Sequence, residues 1–167
     1  VEDSIVSIQR YTVPNQECFG KEDIFNAAVR LEQIPLFGYL WNTFYLHSIL
    51  ISSNCKFDMQ HRVNEDFSYN VKIFQYIDNL KILDYAGYHY AKRQNNSLSA
   101  SRKLDYYDQH CRKISEFLNI FNKEGLLQPA SVQIVLWLYC RIVFSAIELN
   151  ISEGERTTSS YCKEIFK

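Results

Sequence analysis

The stretch from Phe57 to Ser97 decides how this chain is read. It follows a short extended piece, Cys55-Lys56-Phe57, and reaches His61-Arg62-Val63-Asn64-Glu65-Asp66. Phe67, Val71, Phe74 and Ile77 then recur three and four residues apart, which predicts a helix with one buried face. Asn64 is a residue type that caps helix starts, and Glu65 and Asp66 suit the positive end of the helix dipole. Asp78-Asn79 turns the chain into Lys81-Ile82-Leu83-Asp84-Tyr85-Ala86-Gly87-Tyr88-His89-Tyr90, an aromatic segment expected to be a strand. A basic, Asn-rich exit follows, Ala91-Lys92-Arg93-Gln94-Asn95-Asn96-Ser97. Acids, histidine and cations gather here, so any chemistry of the chain is expected here too.

Outward from this stretch, Ser4 to Val13 alternates and is β-branched, and reads as a strand stopped by Pro14, with Asn15 to Gly20 a loop. Lys21 to Gln33 carries Ile24, Ala27, Ala28 and Leu31 at helical spacing. Leu36 to Ile51 is very apolar and predicts a single helix, with Leu40, Trp41, Phe44, Tyr45 and Ile51 on a broad buried face, ended by Ser52-Ser53-Asn54. Ser101 to Lys123 is an amphipathic helix with Gly125 as its stop. Pro129 opens another through Leu149, and Gly154 sets off a short charged tail helix.

The 167 residues suffice for one domain with a core, and 47% hydrophobic residues exclude a disordered tail. A net charge of −1 gives no electrostatic reason to bind nucleic acid or an anionic membrane. The five cysteines are odd in number, scattered and without a CxxC pair, which argues for a reducing compartment and against a disulfide framework or zinc site. Cys111 and Cys140, on apolar helix faces, read as buried, inert thiols. Val132 to Leu149 is apolar but contains Gln133, Arg141 and Glu148, so a buried core helix is preferred to a membrane span, with an interfacial helix second. Five glycines leave little material for a phosphate cradle, and there is no Walker loop or nucleophile elbow.

Three pieces together resemble the C-terminal half of family 2 glycosyltransferases of the GT-A fold. Leu36-Phe37-Gly38-Tyr39-Leu40-Trp41-Asn42-Thr43-Phe44-Tyr45 is similar to that family's Trp-Asn helix, and Asn64-Glu65-Asp66-Phe67 to its Glu-Asp motif. Tyr88 to Ser99 is similar to its aromatic strand followed by a basic loop and a Ser. The resemblance covers about residues 36–100 and departs at Thr43, where the family has a basic residue. It implies an α+β, helix-rich C-terminal portion of a GT-A-like glycosyltransferase with a few short strands: residues 1–100 on the acceptor side, residues 101–167 a C-terminal helical bundle packed on it.

By the same resemblance, Asp66 is the general base of an inverting transfer from a nucleotide-sugar to a glycan or lipid-linked acceptor in polysaccharide synthesis. Glu65 assists it, and Trp41, Asn42, His89, Lys92, Arg93 and Ser97 bind substrate. The nucleotide-binding half and its Asp-x-Asp, which holds Mg²⁺ or Mn²⁺, are not recognised here, so the chain is expected to be a fragment inactive alone, with no metal of its own. A cytoplasmic setting is expected, with peripheral membrane contact and self-association both open. Without the resemblance, Asn64-Glu65-Asp66 reads as a capped helix start, His89 as a structural histidine and Trp41 as core. The alternative function is a helical protein-interaction module built on residues 101–149.

Overall fold

The structure, a computed structural model, describes residues 8–58, 64–90, 106–153 and 158–165. Among these residues the fold is α+β, with six helices and one two-stranded sheet. Strand β1 (Gln16–Phe19) leads into helix α1 (Gly20–Gln33), and a long irregular loop joins α1 to the short α2 (His47–Ser53). Helix α3 (Glu65–Phe74) and strand β2 (Asn79–Ile82) come next, and then α4 (Tyr106–Lys123), α5 (Pro129–Glu153) and α6 (Thr158–Ile165).

The strand lies later than the alternation of residues 4–13 predicts. β1 pairs antiparallel with β2, Gln16 opposite Ile82 and Phe19 opposite Asn79, and this pairing buries Cys18. A strand needs a ladder partner, and residues 8–13 have none among the described residues, which leaves Ile8 exposed; residues 4–7 of the expected strand lie outside the described residues. Residues 83–90, expected to continue a strand over 81–90, are irregular and exposed. The register explains the stop. One step beyond Gln16–Ile82 the Asn15 side chain accepts the Asp84 N–H at 2.7 Å, and Pro14 has no N–H to extend the ladder.

Phe37 explains why residues 36–46 fold into a loop rather than the predicted helix. Its ring lies 5.4, 4.8 and 5.4 Å from those of Phe67, Phe74 and Phe117, at the centre of the core that α1, α3 and α4 share. The loop's carbonyls are claimed by side chains instead of by a helical ladder. Asn42 Nδ2 donates to Leu36 O at 2.8 Å, and the buried Asn70 of α3 donates to Phe37 O and Tyr39 O at 2.6 and 3.3 Å. Such bonds compete directly with helix formation. Asn70 Oδ1 also accepts from the Tyr45 hydroxyl, and burial pushes that phenol well above its usual pKa. Phe44 and Ile51, expected on a buried face, are exposed, Phe44 completely. Only α2 is helical here, and it ends at Asn54 in the left-handed region.

Helices α1, α3 and α4 follow the sequence periodicity closely, residues 101–105 of the helix expected from Ser101 lying outside the described residues. Lys21 at the start of α1 donates from Nζ to Gln75 O and Ile77 O, both at 2.8 Å, and so holds the carbonyl end of α3. Gly125, at φ +68°, takes the left-handed position that closes α4. α5 buries Val135, Leu138, Ile142, Val143 and Ala146 against α4 and α6, and turns Leu136, Trp137, Cys140, Phe144 and Ile151 outward. Cys140 is therefore exposed, not buried, because α5 is apolar on both faces and only one is covered. Pro129–Ile151 is long and apolar enough to cross a membrane by length and composition, with a mean hydropathy of 1.7, and about one third of its apolar stretch is buried inside the fold.

Candidate functional site

The first turn of α3 presents Glu65 and Asp66, both half-buried. Asn64 precedes them at φ +61° and makes no side-chain capping bond. An N-cap side chain acts from an extended backbone, and the left-handed turn here removes it from that geometry. The Asn64 carbonyl still accepts the Ser68 N–H at 3.0 Å, and the helix starts on backbone bonding. Burial raises the pKa of Asp66; a hydrogen bond from the Leu40 backbone opposes this, and the neighbouring Glu65 charge adds to it. The Leu40 contact ties Asp66 to the loop that carries Trp41.

Trp41 stacks against three tyrosines, with ring centroids 5.1 Å from Tyr39, 4.6 Å from Tyr88 and 5.9 Å from Tyr90. The ladder joins the 36–46 loop to the irregular 83–90 segment. Tyr88 and Tyr90 remain about half exposed, at 52% and 51%, and present the aromatic surface that Trp41 was expected to supply. Trp41 itself is half-buried, and its indole Nε1 is buried without a hydrogen-bond partner among the described residues.

Asn42 spends its side chain on its own loop, donating to Leu36 O and accepting from Thr43 Oγ1 at 3.1 Å. His89 lies exposed between Tyr88 and Tyr90. Lys92, Arg93 and Ser97 lie outside the described residues. The structure thus gathers Asp66, Glu65, Trp41 and His89 on two loops and a helix start, and assigns Asn42 a local structural task. The reading from sequence passed over Tyr39, Tyr88 and Tyr90 as individual contributors; their signal was the density of aromatics on either side of Trp41 and His89.

A second polar cluster lies between α1, α4 and α5. Glu32 is only 2% exposed, forms an ion pair with Lys113, and has Arg141 Nη2 at 3.9 Å from the same carboxylate oxygen. Lys113 also sits over the Phe67 ring, 4.4 Å from its centroid. Each of the three charges falls on an otherwise apolar helix row, beside Ala28, Phe117 and Leu138 respectively, and that placement was a legible signal.

Among the described residues no group of three His, Cys, Asp or Glu side chains comes together at metal-binding reach. Comparison with family models, with curated proteins and with solved structures returned no significant match.

Proposed function

We propose that the chain forms the acceptor side of an inverting, GT-A-type glycosyltransferase, in which Asp66 is the general base and the Trp41 aromatic ladder bounds the acceptor site. The nucleotide-sugar and its metal would be held by a further part of the enzyme. One observation carries the reading: a half-buried carboxylate with raised proton affinity, tied through Leu40 to a loop with an exposed aromatic surface.

An acceptor hydroxyl attacks the anomeric carbon as its proton passes to the Asp66 carboxylate. The new glycosidic bond forms as the bond to the nucleoside diphosphate breaks. A carboxylate is a weak base for an alcohol, so its contribution lies in position and in receiving the proton late, and desolvation strengthens it as a base. Glu65 supports Asp66 by its charge, and Tyr88 and Tyr90 supply faces on which a sugar ring can stack. An NMR titration of the chain with a panel of neutral and acidic oligosaccharides tests the acceptor site. Perturbations centred on Tyr88, Tyr90 and Asp66, lost in Tyr88→Ala/Tyr90→Ala, are expected, and a panel without saturable perturbation there refutes it.

A second reading, a helical interaction module, is favoured by α5. Leu136, Trp137, Cys140, Phe144 and Ile151 form an exposed apolar row along it, with Trp137 49% and Phe144 68% exposed. If that row is the functional surface, Trp137→Asp/Phe144→Asp abolishes association of the protein and leaves its circular dichroism unchanged. Association that survives this pair excludes the module.

A further inference from the structure

We infer that the exposed face of α5 is the seam of an antiparallel homodimer, in which α5 of one copy lies along α5 of a second. The inference rests on the reading of that row as an interaction surface, and it names the occupant.

Spacing gives the first argument. Trp137, Cys140, Phe144 and Ile151 stand three, four and seven residues apart, the interval at which one helix faces another along its length. All four are exposed, whereas Val135, Leu138, Ile142 and Ala146 on the opposite face are buried. Packing on α4 and α6 already orders the helix, so pairing demands no helix formation and little loss of conformational freedom.

Charge gives the second argument, and it selects the partner. Arg141 and Glu148 are the charged residues of α5 ahead of its final Glu153. At 3.6 residues per turn both fall on the same margin of the exposed face, either side of Phe144 along the helix. Glu148 is exposed and has no ion pair among the described residues. The Arg141 guanidinium lies 5.4 Å from the Trp137 ring, at the edge of the same face. A two-fold axis beside Phe144 turns one helix end for end and brings like margins together. Arg141 then stands opposite Glu148 of the second copy, and Glu148 opposite its Arg141. Phe144 meets its own mate at the axis, and Trp137 meets Ile151.

Other occupants fit this pattern less well. In a parallel pair the charged margin faces the other margin, Leu136 and Ile147, and both charges stay unpaired. A lipid surface would draw Glu148 towards hydrocarbon between Phe144 and Ile151, which is costly for a carboxylate. The self-complementary pair of charges therefore favours a second copy. A single helix face lies at the small end of specific interfaces, so the dimer is weak and reversible.

The test is sedimentation equilibrium of the chain over a dilution series from millimolar concentration, with circular dichroism confirming the fold of each variant. A monomer–dimer equilibrium is expected. Glu148→Lys should raise its Kd at least about tenfold, because two like charges then meet at each end of the seam. In an Arg141→Gln background the same substitution should change Kd by less than about twofold. A second readout leaves Arg141 intact: added sodium chloride should weaken the wild-type dimer relative to that of Glu148→Gln. A dimer that is lost in Trp137→Asp/Phe144→Asp but is indifferent to both Glu148→Lys and salt keeps the row as an interaction surface and overturns the antiparallel seam. A dimer that survives all of these variants overturns the reading beneath it as well. A chain that stays monomeric at millimolar concentration also overturns the seam, and flotation with vesicles of phosphatidylcholine and phosphatidylglycerol would then give the row to a membrane surface.

Discussion

Asn70 is the residue through which α3 shapes the candidate site, and its removal has a calculable cost. Its side chain is 1% exposed, donates to Phe37 O and Tyr39 O, and accepts from the Tyr45 hydroxyl. In Asn70→Ala all three bonds are lost, Phe37 O loses its side-chain partner, Tyr39 O and the Tyr45 hydroxyl are left to Thr43, and a small void opens. At about 0.5–1.5 kcal/mol for each bond, the loss of stability is roughly 2–4 kcal/mol. Tyr45→Phe removes one of the three and strands Asn70 Oδ1, and should cost about 1–3 kcal/mol. Urea denaturation followed by circular dichroism measures both, and emission from Trp41 in a Trp137→Phe background reports whether the loop detaches before the core unfolds. A loss below about 1 kcal/mol for Asn70→Ala, with Trp41 emission unchanged, would refute the claim that Asn70 organises the loop.

Three further outcomes follow from the same geometry. Lys21→Met removes the cation that holds Gln75 O and Ile77 O at the end of α3, and thermal denaturation should register a loss of roughly 1–3 kcal/mol. Glu32→Leu leaves Lys113 and Arg141 facing each other over a buried site and should cost about 3–5 kcal/mol. Adding Lys113→Met should recover part of this, with a coupling of at least about 1 kcal/mol in a double-mutant cycle. For Asp66 the sign runs against the usual carboxylate: its pKa is raised in the fold, so its ionisation destabilises the fold as pH rises above the ordinary carboxylate range. Asp66→Asn should therefore be at least as stable as the wild type at pH 7, with the difference shrinking as pH falls towards 4; thermal denaturation across that range, with a less stable variant at pH 7, would contradict it.

Where periodicity was carried by one helix, the sequence was enough. Ile24, Ala27 and Ala28 marked α1, Phe67, Val71 and Phe74 marked α3, and Gly125 marked the end of α4. Errors arose where a partner distant in the chain decides the outcome. Residues 36–46 are apolar enough for a helix, but Asn70, more than thirty residues away, bonds their carbonyls into a loop. Residues 83–90 have strand composition, yet Pro14 and Asn15 end the ladder that β1 offers them. In the candidate site, Asp66 was singled out by the resemblance of Asn64-Glu65-Asp66 to a Glu-Asp motif, while the tyrosine ladder was missed because Tyr39 and Tyr88 come together with Trp41 only in the fold. Glu32, Lys113 and Arg141 each interrupted an apolar row, and their shared destination depended on how α1, α4 and α5 pack.

The most direct measurement is glycosyl transfer by the full-length polypeptide, assayed against a panel of nucleotide-sugars and glycan acceptors, for wild type and Asp66→Asn side by side. Loss of a positioned general base should lower transfer by about 10²–10⁴-fold, with the melting temperature preserved. Transfer by Asp66→Asn at the wild-type rate, or no transfer by the wild type with any donor and acceptor, would contradict the account.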